Sequence, residues 1–296
     1  MYSKILVPLD GSPWSEWVLP YVRFLADALG IKVELLQMID PEAVTSYSDP
    51  EHGRYVDIVG STMKDETAHY LRKTAQEYFD TSQVICAAEI GKAAEVIVDK
   101  AALSPDALIA MSTHGRSSIP RWLLGSVADK VLHAAVNPIL LVRPNGHGVR
   151  SGPISLKKII APLDGSALAE LTLLHVRELA KKLDMEVVLV RSYDQMVQGH
   201  VPYADRIKNK FRDEAKTYLE SKVTQLTNDG IKRVSYLMPQ GNAAENIVDI
   251  TRETADNLVA ICTHGRSGIG RWVLGSVTDH VVRHSIGPVL IIRAVS

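Results

Sequence analysis

Residues 111–144 align without a gap on residues 261–294, and 17 of the 34 aligned positions are identical. Thr113-His114-Gly115-Arg116-Ser117 returns as Thr263-His264-Gly265-Arg266-Ser267, and Leu124-Gly125-Ser126-Val127 returns as Leu274-Gly275-Ser276-Val277. Ile5-Leu6-Val7-Pro8-Leu9-Asp10-Gly11-Ser12 likewise matches Ile159-Ile160-Ala161-Pro162-Leu163-Asp164-Gly165-Ser166. The offset is 150 residues at the later match and 154 at the earlier one. One unit is therefore roughly 145 residues, long enough to bury its own core and far longer than the 20–50 residues of a solenoid repeat. The sequence is read as a duplicated domain: residues 1–144, a Gly- and Pro-rich linker at 145–156, and residues 157–296.

Within the first unit, short apolar runs alternate with amphipathic stretches. Strands are expected near 4–9, 33–38, 83–88, 107–111 and 138–142, and in the second unit near 157–162, 186–191, 232–238, 257–262 and 288–292. Ser12-Pro13 predicts a helix start, because serine caps orphan N–H groups and proline loses nothing at the first helical position; Gly30 predicts its end. Further helices are expected at 62–79, 92–103 and 126–135. The polar segments 40–60 and 194–205 read as loops or lids. Alternation of this kind implies an α/β fold with a mainly parallel sheet. Such sheets take ligands beyond the carboxyl ends of their strands. The repeated polar motifs fall there, after the first and fourth strands.

Composition excludes several classes of function. The formal net charge is -1, so no overall basic field draws the chain to nucleic acid or an anionic membrane. The charge is uneven: residues 1–146 carry 13 Lys/Arg and 18 Asp/Glu, and residues 147–296 carry 20 and 16. Cys86 and Cys262 are the two cysteines, at non-equivalent positions, which suggests neither a disulfide scaffold nor a zinc site and fits a cytoplasmic protein. The first residues enter an apolar strand directly, without the pattern of a secretory leader, and no apolar run reaches the roughly 18 residues of a membrane helix.

Gly115 and Gly125-Ser126 bracket a nine-residue loop that leads into a helix, and Gly265 and Gly275-Ser276 repeat it. A helix N-terminus offers free N–H groups and a positive dipole end to a phosphate. Arg116 and Arg266 are candidate anion contacts beside it, with Arg121 and Arg271 behind them. Ser126-x-x-Asp129 and Ser276-x-x-Asp279 also have the form of capping boxes. The length of the polar loop before the cap favours a ligand site. Asp10 and Asp164 are candidate carboxylates for Mg2+, with a ribose contact or a helix-start acid as competing roles. His114 and His264 have no adjacent nucleophile and orienting acid, so they read as loop residues rather than catalysts. Trp122 and Trp272 read as packing residues, and Cys262 as a small buried one.

These motifs resemble the universal stress protein family over nearly the whole chain. That family carries G-x-x-G, nine residues, then G-[ST] after its fourth strand, with an Asp after its first. The resemblance implies two tandem Rossmann-like domains of the adenine nucleotide α-hydrolase-like kind, each with sheet order 3-2-1-4-5. It implies a base and ribose cradle at Pro8, Leu9 and Asp10 and at Pro162, Leu163 and Asp164, with the end of the second strand, at Met38 and at Ser192, contacting adenine through its backbone. It implies phosphate contacts at Gly115, Gly125, Ser126 and Val127, and at Gly265, Gly275, Ser276 and Val277. Ser112 and Cys262 stand where the family has its first glycine, and both are small. The expected ligand is ATP, ADP or AMP, with Mg2+ as a possible companion. Pro120 stiffens the first loop, whereas Gly268 and Gly270 free the second, and Thr278 adds a hydroxyl where the first half has Ala128. The second half is accordingly expected to bind nucleotide more tightly.

No GxxxxGK[ST], GxGxxG or GxSxG motif occurs, which removes the simplest P-loop, dinucleotide-enzyme and hydrolase readings. The expected function is nucleotide-dependent regulation in a stress response, read by a protein partner of unknown identity. A scaffold with degenerate sites and a slow ATPase are the alternatives. The apolar last strands, Ile139–Val142 and Val289–Ile292, imply by the same resemblance a pseudo-dimer of the halves, with a homodimer of chains as a further possibility.

Overall fold

The computed structural model describes residues 2–46, 55–115, 124–144, 154–193, 204–253, 256–263 and 274–293. The chain divides into two compact units, Met1–Ile154 and Ser155–Ser296. Arg116, Gly265, Arg266, His264, the loop residues Pro120, Gly268 and Gly270, the arginines Arg121 and Arg271, and the tryptophans Trp122 and Trp272 lie outside the described residues, as does most of segment 194–205.

The first unit runs β1 (Lys4–Leu9), α1 (Leu19–Leu29), β2 (Lys32–Ile39), α2 (Pro41–Ser46), α3 (Tyr55–Tyr78), β3 (Val84–Ile90), α4 (Ala93–Ala102), β4 (Ala107–Ser112), α5 (Ser126–Ala134) and β5 (Ile139–Val142). Its strands are parallel and stand in the order β3-β2-β1-β4-β5. The second unit runs β6 (Lys158–Pro162), α6 (Ala167–Glu170), α7 (Thr172–Leu183), β7 (Glu186–Val190), α8 (Ala204–Asn228), β8 (Val234–Leu237), α9 (Ala243–Glu253), β9 (Asn257–Cys262), α10 (Ser276–His284) and β10 (Val289–Ile292). Its order is β8-β7-β6-β9-β10, again parallel. Each half is thus the 3-2-1-4-5 arrangement. Because strand order reverses beside β1 and beside β6, the helices fall on both faces of each sheet. The strands β4 and β9 are buried at every residue, which is why they read as unbroken apolar runs.

The helix expected from Ser12 is broken in both halves. In the first, a 3-10 turn occupies Ser15–Val18, and α1 begins only at Leu19, with Pro20 in its first turn. The N-cap of that tighter turn is Trp14 rather than Ser12, but the Ser12 hydroxyl accepts from the Ser15 N–H at 3.2 Å and leads the chain into it. In the second, Ser166 caps the one-turn helix α6 by accepting from the Ala169 N–H at 3.1 Å, and α7 follows. Gly30 ends α1 at φ 67 as expected, whereas the second half makes the same left-handed stop with Asp184 at φ 50. Segment 40–60 is not simply loop. Asp40 accepts from the Glu42 N–H at 2.9 Å and opens α2, while α3 starts at Tyr55 rather than at residue 62. An Asp-Pro helix start outweighed the polar composition there.

The first sheet carries a buried charge. Glu34 on β2 is 6% exposed and pairs with Lys4 at 2.8 Å and with Lys100 on α4 at 3.2 Å; Lys100 also reaches Glu89 at 3.1 Å. Burial alone would raise the Glu34 pKa, but hydrogen bonds and charge from the two lysines outweigh it and hold the carboxyl below its ordinary range. In the second half the corresponding register position is Val188. Among the described residues, no helix is long and apolar enough to cross a membrane.

Candidate functional site

The reversal of strand order places β1 between β2 and β4, so the chain ends of all three strands converge. A cavity of about 300 Å3 opens there. Pro8, Leu9 and Asp10 form one side of it, Met38 closes the β2 end, and Met111, Ser112 and Thr113 close the β4 end. Gly115, Gly125, Ser126 and Val127 complete it. A second cavity of about 310 Å3 occupies the same place in the other unit, between Pro162, Leu163, Asp164, Ser192 and Cys262, with Gly275, Ser276, Val277 and Thr278 opposite. Every described residue for which a nucleotide contact is expected lies on one of the two cavities.

The Asp-Gly-Ser turn after each first strand is held by its own carboxylate. Asp10 Oδ1 accepts from the Ser12 N–H at 2.9 Å and from the Ser12 hydroxyl at 2.6 Å. Asp164 Oδ1 accepts from the Ser166 N–H at 2.9 Å. This is the local hydrogen bonding that suits aspartate to turns, and it fixes the second oxygen's direction. In the first cavity that oxygen faces Gly115, where any Cβ would collide with the Asp10 carboxylate.

The glycine before each following helix has a different purpose. The Gly125 N–H donates to the Thr113 carbonyl at 2.8 Å, and the Gly275 N–H to the Thr263 carbonyl at 2.9 Å. The nine-residue loop is thus tied at its base to the end of the fourth strand. A Cβ on Gly125 would stand 3.1 Å from the Thr113 oxygen, so close approach of backbone requires glycine here. Its φ of -62 is open to any residue.

The capping-box reading of Ser126 and Ser276 does not hold. The N-cap residues are Gly125 and Gly275, the serines are the first helical residues, and neither N-cap residue makes a side-chain capping bond. First-turn N–H groups have no carbonyl one turn back. Here they stand beside the cavity that Ser126 and Val127, or Ser276 and Val277, line. Both helices therefore present an open positive end to the space between them and the aspartate.

Thr278 lines the second cavity and also makes a bond within the fold. Its hydroxyl is buried and donates to the Cys262 carbonyl at 2.7 Å, which ties α10 to β9. His114 lines the first cavity with Nδ1 2.8 Å from the Thr113 hydroxyl.

Sequence reasoning missed the wall opposite the first strand. Ala93 and Ile97 of α4, and Ala243 and Ile247 of α9, line the cavities. Their signal was present in Gly91 and Gly241, each two residues before a helix whose small and branched apolar residues recur four apart. Arg191 was missed as well. Its guanidinium packs over the Tyr218 ring at 4.8 Å and comes within 3.1 Å of where a Gly165 Cβ would lie, beside Asp164. The Tyr218 hydroxyl donates to Glu170 at 3.0 Å, as Tyr70 donates to Glu16 at 2.7 Å in the first half. Burial first, and then these carboxylates, push both phenols upward in pKa. Among the described residues no cluster of three or more His, Cys, Asp or Glu side chains could hold a metal on its own.

The family model of the universal stress protein family matches residues 1–143 and again residues 155–293. A universal stress protein of Methanocaldococcus jannaschii is 27% identical over 157 residues, covering 47% of this chain and 96% of its own length. One from Mycolicibacterium smegmatis is 21% identical over 297 residues, covering 98% of this chain and 96% of that protein. The solved structure of a universal stress protein from Archaeoglobus fulgidus is similar in fold with a TM-score of 0.67, at 20% identity, and covers 98% of this chain and 96% of that one.

Proposed function

The chain belongs to the universal stress protein family, and from that premise we propose that it is an adenine-nucleotide-binding regulatory protein of the stress response, whose nucleotide state a protein partner reads. The observation that carries this reading is the uncapped helix N-terminus facing an aspartate across a cavity, present once in each unit. In this reading the phosphates of ATP, ADP or AMP lie at the first turns of α5 and α10, where free N–H groups and the helix dipole meet negative charge. Asp10 and Asp164 accept from ribose hydroxyls. The base lies toward Met38, Ala93 and Ile97 in the first cavity and toward Ser192, Ala243 and Ile247 in the second. A Mg2+ ion would have one carboxylate in each cavity and would take its other oxygens from phosphate and water. Arg116 and Arg266 belong to the same proposal as further phosphate contacts.

The test is to denature freshly purified protein, identify released nucleotide by mass spectrometry and determine its ratio to chain. Near two adenine nucleotides per chain supports two working sites, and near one supports unequal sites. If nothing is released and millimolar ATP leaves the melting temperature unchanged, nucleotide binding is abandoned for a scaffold role.

A further inference from the structure

Ser192 lies directly after β7, on the opposite side of β6 from β9 and α10. Its hydroxyl oxygen is 3.1 Å from the side-chain nitrogen of Asn246 on α9. The same nitrogen is 3.2 Å from the Gln240 carbonyl oxygen. A carbonyl oxygen only accepts, so the nitrogen end of the amide faces it, and its two hydrogens are directed to Gln240 and Ser192. Ser192 is therefore the acceptor of the pair, and its own hydroxyl hydrogen points elsewhere. Asn246 is the one hydrogen-bond partner of that hydroxyl among the described residues. Ser192 lines the second cavity between the Asp164 turn and the α9 wall.

The backbone builds this arrangement. Gly241, at φ 108, turns the chain between Gln240 and Asn242, and its N–H donates to the Tyr193 carbonyl at 3.0 Å. Asn242 accepts from the Ala244 N–H at 2.9 Å and starts α9, which puts Asn246 one turn further along the same helix face. The first unit has none of this chemistry. Met38 stands at the position of Ser192 and Val96 at that of Asn246, and a Cβ on Gly91 would come within 2.6 Å of the Val96 side chain.

We propose that Ser192, oriented by Asn246, is a base-selecting side-chain hydrogen-bond donor of the second cavity, and that the first cavity, with Met38 in that place, lacks this side-chain contact. The ligand class is a purine nucleotide with an acceptor, a ring nitrogen or a carbonyl oxygen, on the edge that meets Ser192. This rests on the nucleotide-binding reading above. Asn246 is a positioning residue, acting through Ser192.

The test uses the full-length chain carrying Ser126→Glu, which sets a negative charge at the exposed first residue of α5 and confines binding to the second cavity. Isothermal titration compares ATP with its 1-deaza, 3-deaza and 7-deaza analogues, each lacking one ring acceptor. One analogue is expected to bind about 3- to 10-fold more weakly than ATP, the range of a single hydrogen bond. Ser192→Ala is expected to weaken ATP by the same factor and to erase that analogue's deficit. Asn246→Val is expected to reduce the deficit with Ser192 still present, which a merely structural role would not do. In the mirror background, Ser276→Glu, the deaza ratios of the first cavity are expected to be unchanged by Ser192→Ala. If ATP binds but Ser192→Ala leaves its affinity and every deaza ratio at the parent value, the role of Ser192 is overturned and nucleotide binding stands. If the unmodified chain binds no ATP, both fall together.

Discussion

Along β2 the first half carries Glu34, Gln37 and Met38, where the second half carries Val188, Arg191 and Ser192 along and just after β7. The first half buries its polar chemistry inside the sheet, as a Glu34–Lys4–Lys100 network, and gives the cavity Met38 from the end of the strand. The second half has an apolar strand interior and gathers its polar groups just after the strand, as Arg191 over Tyr218 and, on the cavity, Ser192 against Asn246. What the main chain builds is nearly identical in the two halves. The loop-closing bond to the fourth strand is 2.8 Å in one and 2.9 Å in the other, and both helices start on an uncapped glycine. Duplication preserved the backbone tie between the fourth strand and the helix after it, while the side chains along and after the second strand diverged.

The largest expected difference lies in nucleotide affinity. A glutamate at Ser276 should weaken ATP at the second cavity about 100-fold, because like charges brought together at an anion site cost several kcal/mol. If the second half is the tighter site, Ser276→Glu removes the higher-affinity phase of an ATP titration and Ser126→Glu removes the lower one. The opposite assignment would reverse the comparison.

Gly115→Ala sharpens it next. The added methyl meets the Asp10 carboxylate, so urea denaturation should show a loss of about 1–3 kcal/mol, the usual range for overpacking. Full wild-type stability would mean that the Asp10 side chain swings away at little cost.

The acid response comes third. The folded pKa of Glu34 lies below its ordinary value, so its contribution is present above the unfolded carboxylate range and is lost as pH falls through the folded value. Lys100→Met should destabilise the first unit by about 1–2 kcal/mol at neutral pH, the range of a hydrogen bond to a charged group. It should also flatten the fall in melting temperature on acidification. The second unit, with Val188 at that place, should show neither effect.

Thr278→Ala is the smallest. It installs the residue found at Ala128 and removes the bond to the Cys262 carbonyl. The expected loss is about 1 kcal/mol of stability with ATP affinity unchanged. A selective loss of affinity would support the ligand-donor role expected of Thr278.

Much of this site was legible before any coordinates, for a physical reason. Glycines and turn aspartates mark places where the backbone itself approaches something, and that requirement is written in residue type. Asp10, Gly115 and Gly125 were found that way, Pro8, Leu9 and Val127 through the family resemblance, and all of them line one cavity. Helix starts were harder. Ser126 has the composition of a cap but sits one residue too late to be one, because the bond from Gly125 to Thr113 sets where the helix begins. A bond to another strand has no local signature. Asp40-Pro41 did have such a signature, and the polar residues around it masked it.

The sequence by itself determined the duplication, the α/β alternation, the sheet order through family resemblance, and the glycine and aspartate positions. All of these follow from repeated motifs or from backbone constraints local to a few residues. Only the tertiary structure decided what faces what: that Thr278 bonds to Cys262, that Glu34 lies between two lysines, and that Asn246 reaches Ser192 from 54 residues further along the chain. Such pairings are set by the register of parallel strands and the helices crossing between them. That register places residues side by side irrespective of their distance in sequence.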